Sequence, residues 1–194
     1  MDISFIDHYD SFSFNVLDWL RQSGGDRFEI HRILYDDPDA IENLKKKPTP
    51  LVISPGPGKP SDYPTTTNLV KASIGRVPIL GICLGHQILG NLFGGLIVKS
   101  QAPWHGSSQR IKLLKKNWLT EGLADEFHAI SYNSLVVKLK TTPQNSWQTL
   151  AVDEEDQIMM SCHDNLPVAS VQFHPESFAS DDLSVIARNF LTRL

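Results

Sequence analysis

The stretch VPILGICLGHQ, residues 77–87, decides the fold of this chain. Its apolar first part, residues 77–80, predicts a buried strand, and the residues from about Gly85 onward predict a helix. Cys83 stands between Gly81 and Gly85, and a tight strand-to-helix turn requires such small neighbours. Because this kind of turn projects its side chain over the end of a sheet, we expect Cys83 to be a nucleophile at that edge.

A second motif, His174-Pro175-Glu176, ends another strand-like run at residues 168–173. Pro175 favours an extended conformation of His174, and residues two apart in an extended segment face the same side. Glu176 is therefore expected to accept a hydrogen bond from the His174 ring and to orient it. Together with Cys83, this motif predicts a catalytic triad for acyl transfer through an activated cysteine.

A loop rich in proline and glycine, residues 55–58, follows the apolar strand predicted at residues 51–54. Proline has no N–H, so Gly56 and Gly58 are the backbone donors of this loop. Fixed N–H groups near a nucleophile suit an oxyanion hole, and the N–H of Leu84 is the expected second donor. Taken alone, the loop also fits an ordinary turn.

The order of predicted elements indicates the fold class. Strands and helices alternate in the first half of the chain, which is typical of an α/β fold, and the second half has strand-like runs separated by turns. We expect an open, mostly parallel mixed sheet with helices on both faces, ending in a helix over residues 181–194 that Ser180 begins. Because no repeat or linker interrupts the pattern, we expect a single domain over residues 1–194.

Composition and charge exclude several kinds of partner. The 194 residues are 41% hydrophobic with a net charge of −4, which is typical of a soluble globular protein. The short lysine runs at residues 45–47 and 115–116 are typical of solvated loop ends, so we expect no nucleic-acid partner. No apolar run approaches the ~20 residues that span a bilayer. The N-terminus has no basic signal region, so we expect no membrane partner and a cytoplasmic location.

The remaining reactive side chains predict no further chemistry. A disulfide between Cys83 and Cys162 would consume the nucleophile, so we expect a reduced setting. Of the histidines, His31, His128 and His163 lack the spacing of metal ligands. We therefore expect neither a metal nor a cofactor.

Three motifs, in their order and spacing, resemble those of the class I (triad) glutamine amidotransferases. They are CLGHQ at residues 83–87, PGPG at 55–58 and HPE at 174–176. The segments DHYDSF at 7–12 and QFHPES at 172–177 resemble one branch of that family, the glutaminase subunits of anthranilate synthase and aminodeoxychorismate synthase. The resemblance covers essentially the whole chain and implies a flavodoxin-like fold.

The resemblance also implies an activity. Cys83 attacks the side-chain amide of glutamine, releases ammonia and forms a glutamyl thioester, while His174 acts as base and then acid and Glu176 orients it. The ammonia passes through a tunnel to a chorismate-binding synthase subunit, the implied partner. The residues that the resemblance places on glutamine are Gly56, Pro57, Gly58, Gln87, Ser134 and Leu135.

Three segments depart from the family pattern. His8 stands where the family usually has Asn, and we expect this change to have no consequence. The chain has SYNSL at residues 131–135 instead of RYHSL, and WHGS at 104–107 instead of MHGK. We expect both segments near the glutamine site or the synthase face, with His105 at that face and His86 in a structural position.

Two other functions stay open at this point. A free-standing cysteine hydrolase of γ-glutamyl compounds needs no synthase and would turn over γ-glutamyl peptides alone. A binding or regulatory subunit without catalysis is the other alternative, and the intact residues Cys83, His174 and Glu176 argue against it. The anthranilate and aminodeoxychorismate pathways are both open, since in this family one glutaminase can serve both.

Overall fold

The computed structural model describes residues 1–101, 103, 106–139 and 146–194 of the chain. Its strands are β1 Asp2–Asp7, β2 Glu29–Leu34, β3 Leu51–Ile53, β4 Ile79–Ile82, β5 Leu96–Lys99, β6 Ser107–Leu113, β7 Glu126–Ser131, β8 Leu135–Lys138, β9 Trp147–Val152, β10 Ile158–His163 and β11 Val168–Val171. Its α-helices are α1 Ser13–Gly24, α2 Pro38–Lys46, α3 Pro64–Ser73, α4 Leu84–Leu92 and α5 Ser184–Leu191, with short 3-10 turns at Gly25–Arg27 and Pro60–Asp62.

Within these residues, nine strands form one mixed sheet in the order β2-β1-β3-β4-β11-β10-β9-β6-β7, and β5 pairs separately with β8. The pairs β1–β2, β1–β3, β3–β4 and β4–β11 are parallel. The remaining neighbours in the large sheet are antiparallel. Parallel pairing occupies the half in which α1, α2 and α3 connect successive strands, because parallel strands need such crossovers. The predicted α/β fold class is confirmed.

Helices cover both faces of the parallel half. One core joins α1 and α5 with strand residues such as Phe5 and Val52. The other core joins α2, α3 and α4 with Ile6 and Ile53, the residues that follow Phe5 and Val52 in the chain. Successive strand residues therefore alternate between two apolar cores, which explains why these strands are continuous apolar runs in the sequence. No helix among the described residues is long and apolar enough to cross a membrane.

The fold positions the predicted motifs through the ends of three parallel strands. In the sheet, β4 lies between β3 and β11, and all three run in the same direction. The loop at residues 55–58, the turn at Cys83 and the segment at His174 follow these strands. Because the carboxyl ends of parallel strands meet at one edge, the three motifs meet there, where open α/β sheets bind ligands.

The expected start of the last helix is wrong. Helix α5 begins at Ser184 rather than at residue 181. The Asp181 carboxylate accepts a 2.6 Å hydrogen bond from the backbone N–H of His128, and its own N–H donates to the His128 carbonyl. The Ser180 hydroxyl donates to the carbonyl of His174 at 3.0 Å. These residues therefore tie the chain to β7 and to the predicted triad instead of capping a helix.

Candidate active site

The turn between β4 and α4 holds Cys83 in an unusual conformation. Its φ is +52° and its ψ is −100°, a combination that non-glycine residues rarely adopt and that costs on the order of 1–3 kcal/mol. A Cβ on Gly81 would lie 2.5 Å from the backbone of Gly85, and a Cβ on Gly85 would lie 2.6 Å from the carbonyl oxygen of Ile53. Both glycines therefore permit the tight crossing of strand and helix that the sequence predicts, with Cys83 9% exposed rather than open to solvent.

His174 and Glu176 form a buried pair beside Cys83. The Nδ1 of His174 lies 2.7 Å from Oε1 of Glu176, and the two side chains are 2% and 0% exposed. The backbone N–H of His174 donates to the carbonyl of Ile130 at 2.9 Å, which fixes the segment against β7. Since Nδ1 faces Glu176, Nε2 is the ring nitrogen left to meet Cys83, with which the ring also interacts. The spacing predicted from the His-Pro-Glu motif thus matches the structure.

The charge state of His174 is set by its two neighbours. Burial alone lowers the pKa of His174, but hydrogen bonds and charge from Cys83 and Glu176 outweigh burial and raise the pKa to about 10. An imidazolium between a carboxylate and a sulfur favours the thiolate, the reactive form of cysteine. The arrangement can therefore hold a nucleophile and a proton donor ready at the same time.

The two predicted oxyanion donors are neighbours in space. A Cβ on Gly56 would lie 2.6 Å from Cδ2 of Leu84 and 2.6 Å from Cβ of His8. Leu84 is the first residue of α4, where backbone N–H groups have no acceptor within the helix and carry partial positive charge. Only glycine fits against His8 at position 56, so the loop packs closely on the first residue of α4. The role of its N–H in an oxyanion hole stays a prediction.

His8 lies beneath this loop and is part of the site's framework. Its ring is buried, with Nδ1 3.0 Å from the Ser54 hydroxyl and Nε2 2.9 Å from the Thr66 hydroxyl. Burial lowers the pKa of His8 to about 4, against an opposing effect of the Asp7 carboxylate. We expected the change from Asn to have no consequence, but the structure gives His8 a specific packing and hydrogen-bonding role under Gly56.

The low pKa of His8 predicts a loss of stability in acid. Burial likewise lowers the pKa of His86 to about 3, despite a backbone hydrogen bond at Ile158 that opposes the shift. Below about pH 6.5 these two histidines bind protons in the unfolded chain but stay neutral in the folded protein. The free energy of unfolding should therefore fall by about 1.4 kcal/mol per pH unit for each histidine, down to its folded pKa. Denaturant unfolding between pH 7 and 4.5 measures this slope.

His8→Asn should reduce that slope by about 1.4 kcal/mol per pH unit, the contribution of one histidine, because it removes the imidazole. Thr66→Val is the matched control, since it breaks the hydrogen bond to Nε2 but keeps the imidazole. An unchanged slope in His8→Asn would contradict the assignment of a buried neutral ring at position 8.

The residues expected to hold glutamine surround the same edge. The side-chain N–H of Gln87 donates to the Leu135 carbonyl at 3.1 Å, which connects α4 with β8. The carbonyl of Pro57 accepts a 2.9 Å hydrogen bond from the Tyr63 hydroxyl, and Gly58 has a φ of +73°. The Ser134 carbonyl already accepts a hydrogen bond from the backbone of Ser100. The structure thus joins Gln87 to Leu135 and braces the Pro57–Gly58 turn, and the role of these residues toward glutamine stays a prediction.

Tyr132, in the departing segment at residues 131–135, contacts the triad through its aromatic ring. The ring of Tyr132 lies 5.1 Å from that of His174, and the ring of Phe12 lies 5.2 Å from it on a third element. A Cβ on Gly106 would lie 2.9 Å from Tyr132, so the ends of both segments meet beside His174. Trp104 and His105, the other positions discussed at this segment, lie outside the described residues.

The sequence interpretation missed Gln172. Its side chain is fully buried and its Nε2 lies 3.6 Å from Sγ of Cys83. The signal was present, because Gln172 stands two residues before His174 in an extended segment, as Glu176 stands two residues after it. Phe12 was likewise given no role at the site, although its ring faces His174.

One cluster of potential metal ligands lies away from this site. Among the described residues, ligand atoms of Asp2, Glu29 and His31 lie within 4.8 Å of one another. All three side chains are exposed and sit toward the amino ends of β1 and β2, opposite the edge that carries Cys83. Exposed groups of this kind are common without an ion, and we assign no metal to them.

Comparison with known sequences decides the family. The family model for class I glutamine amidotransferases matches residues 4–194. The chain belongs to this family. It is 36% identical over 189 residues to the aminodeoxychorismate/anthranilate synthase component 2 of Bacillus subtilis, which covers 97% of this chain and 95% of that protein. It is 34% identical over 195 residues to anthranilate synthase component 2 of Pseudomonas putida, with 98% and 96% covered. The resemblance seen in the sequence motifs is confirmed.

A third relative is longer. The bifunctional protein TrpGD of Thermotoga maritima is 37% identical over 188 residues, which cover 96% of this chain and 31% of that protein. The chain therefore spans about a third of the length of TrpGD, but almost the full length of the Bacillus subtilis and Pseudomonas putida proteins.

Solved structures support the fold. A Thermoplasma acidophilum protein proposed to be part of a GMP synthase superposes with a TM-score of 0.82 at 21% identity, covering 99% of this chain and 92% of that one. A glutamine amidotransferase of Thermotoga maritima gives 0.75 at 16% identity, with 91% and 76% covered. At these identities the likeness concerns the fold alone, and it confirms the predicted class I amidotransferase architecture.

Proposed function

We propose that this amidotransferase is the glutaminase subunit of a chorismate-using synthase, making either anthranilate or aminodeoxychorismate. The observation that carries the proposal is the strained Cys83 turn beside the buried His174–Glu176 pair, which has a 2.7 Å hydrogen bond. The component 2 proteins of Bacillus subtilis and Pseudomonas putida, alike over nearly their full lengths, support this branch of the family. The proposed substrate is glutamine, and the proposed partner is a chorismate-binding component I.

The first half of the proposed reaction transfers the glutamyl group to sulfur. The Cys83 thiolate attacks the side-chain carbonyl carbon of glutamine. The carbonyl oxygen then takes the negative charge beside the N–H groups of Gly56 and Leu84. As the tetrahedral intermediate collapses, the carbon–nitrogen bond breaks and the His174 imidazolium gives its proton to the departing nitrogen. Ammonia leaves, and a γ-glutamyl thioester remains on Cys83.

The second half regenerates the enzyme. The His174 ring, now neutral, removes a proton from a water molecule that attacks the thioester carbon. The carbon–sulfur bond breaks, glutamate leaves, and the thiolate is again paired with an imidazolium. Glu176 holds Nδ1 throughout, so that Nε2 is the atom that exchanges protons with the substrate.

Ammonia release from glutamine tests the proposal. The purified chain is assayed alone and then with each candidate component I, one that makes anthranilate and one that makes aminodeoxychorismate. We expect low activity alone and a strong increase with at least one of them, which also names the pathway. High activity alone that neither component I changes would contradict the proposal and favour a free-standing hydrolase of γ-glutamyl compounds.

A further inference from the structure

Alternate residues from the end of β11 onward face the turn at Cys83 and the first turn of α4. Ser170, Gln172 and His174 are each 2% exposed or less. The hydroxyl of Ser170 lies 2.7 Å from Nδ1 of His86, whereas His174 interacts with Cys83. Gln172 lies between these two contacts, and the proposed reaction gives it no role.

The side chain of Gln172 joins the nucleophile to a predicted glutamine-binding residue. Its Nε2 donates to Sγ of Cys83 at 3.6 Å, and its Oε1 accepts from Nε2 of Gln87 at 3.3 Å. The position is set by the sheet, since the backbone N–H of Cys83 donates to the Val171 carbonyl at 2.9 Å. A fully buried amide with both ends engaged is held in one orientation.

The direction of these hydrogen bonds follows from a backbone carbonyl. The Leu135 carbonyl can only accept, so the Gln87 group that meets it at 3.1 Å is the NH2. That same NH2 faces Gln172, which must present its oxygen to Gln87. The NH2 of Gln172 is therefore the end that points at Cys83, and it is a donor.

We propose that Gln172 is a further catalytic residue whose side-chain N–H stabilises the thiolate of Cys83, with Gln87 holding it in that orientation. A hydrogen bond to an ionised acceptor is roughly twice as strong as one to a neutral acceptor, so this donor favours the thiolate over the thiol. The proposal rests on the proposed function for the role of Cys83 as nucleophile.

The test follows the alkylation of Cys83 by iodoacetamide as a function of pH, with the modified peptide identified by mass. Gln172→Met has a similar length but no donor, and its alkylation midpoint should rise by about one pH unit. Gln172→Glu keeps the shape and an acceptor for Gln87 but places negative charge beside the sulfur, so its midpoint should rise at least as far. The kcat/KM for glutamine, measured with the component I that activates the chain, should fall in parallel near neutral pH and recover at higher pH.

Ser170→Ala is the matched control. It removes the hydrogen bond between Ser170 and His86, two residues earlier on the same face of the strand, and leaves Gln172 in place. His174, with Glu176 behind it, is the titratable pair beside the sulfur, and the variants change neither. The ring of His86, the other histidine near this face, contacts the Ser170 hydroxyl.

An unchanged midpoint in folded Gln172→Met and Gln172→Glu, or a kcat/KM that falls equally at every pH, would overturn the proposal and leave Gln172 a purely structural residue. Because the first readout is alkylation and not glutamine turnover, a failure of the proposed function is seen separately, as an inactive chain with every component I.

Discussion

Cys83→Ser should abolish glutamine hydrolysis, with a loss of about a thousandfold or more. A serine hydroxyl is a weaker nucleophile than a cysteine sulfur, so the His174–Glu176 pair would no longer activate a group that attacks the amide efficiently. Ammonia-dependent synthesis by the complex with component I should persist, since the proposed role of this chain is to supply ammonia. Both reactions are measured on the same preparation of the complex.

The control for this substitution is the second cysteine. Cys162 is buried and accepts a 2.7 Å hydrogen bond from Asn117, and burial raises the pKa of its thiol to about 11. Cys162→Ser should therefore keep the glutaminase activity of the wild type. Retained glutamine hydrolysis in Cys83→Ser would refute the assignment of the nucleophile.

Gly56→Ala should lower kcat by about 10²–10³, the usual effect of losing an oxyanion-hole donor. The added Cβ would lie 2.6 Å from both His8 and Leu84, so the loop must move and its N–H must leave its position. The KM for glutamine should change less than kcat, because the N–H meets charge that develops only in the transition state. Steady-state kinetics of the complex measures both constants.

Gly75→Ala controls for general destabilisation. Nothing lies within 4 Å of a Cβ at this position, but its φ is +78°, so alanine there is strained without touching the site. It should lower the free energy of unfolding by about 1 kcal/mol and leave kcat unchanged. If Gly56→Ala showed the same pattern as Gly75→Ala, the loop would have no part in the oxyanion hole.

The parts of the site that the sequence predicts are those set by local geometry. The turn at Cys83 needs small residues two positions away on each side, and the sequence shows them at Gly81 and Gly85. The pairing of His174 with Glu176 follows from the alternation of an extended segment. Both features depend on residues close in the chain, and the structure reproduces both.

The features that the sequence did not predict depend on distant partners. Gln172 meets Cys83 across 89 positions, through the register of β11 on β4. His8 forms its two side-chain hydrogen bonds with Ser54, just after β3, and with Thr66 in α3. The last helix starts late because Asp181 is bound to β7 rather than to the first turn of the helix. In each case a tertiary contact sets the position of the residue.

The most direct test of the central claim is covalent labelling with a glutamine analogue that carries an electrophilic diazoketone in place of the side-chain amide. The complex with component I is treated, and the intact mass and the modified peptide are determined. We predict one adduct per chain, located on Cys83, prevented by excess glutamine and absent from Cys83→Ser. Labelling at Cys162 or elsewhere, or no adduct on Cys83 in the assembled complex, would contradict an activated cysteine nucleophile in this chain.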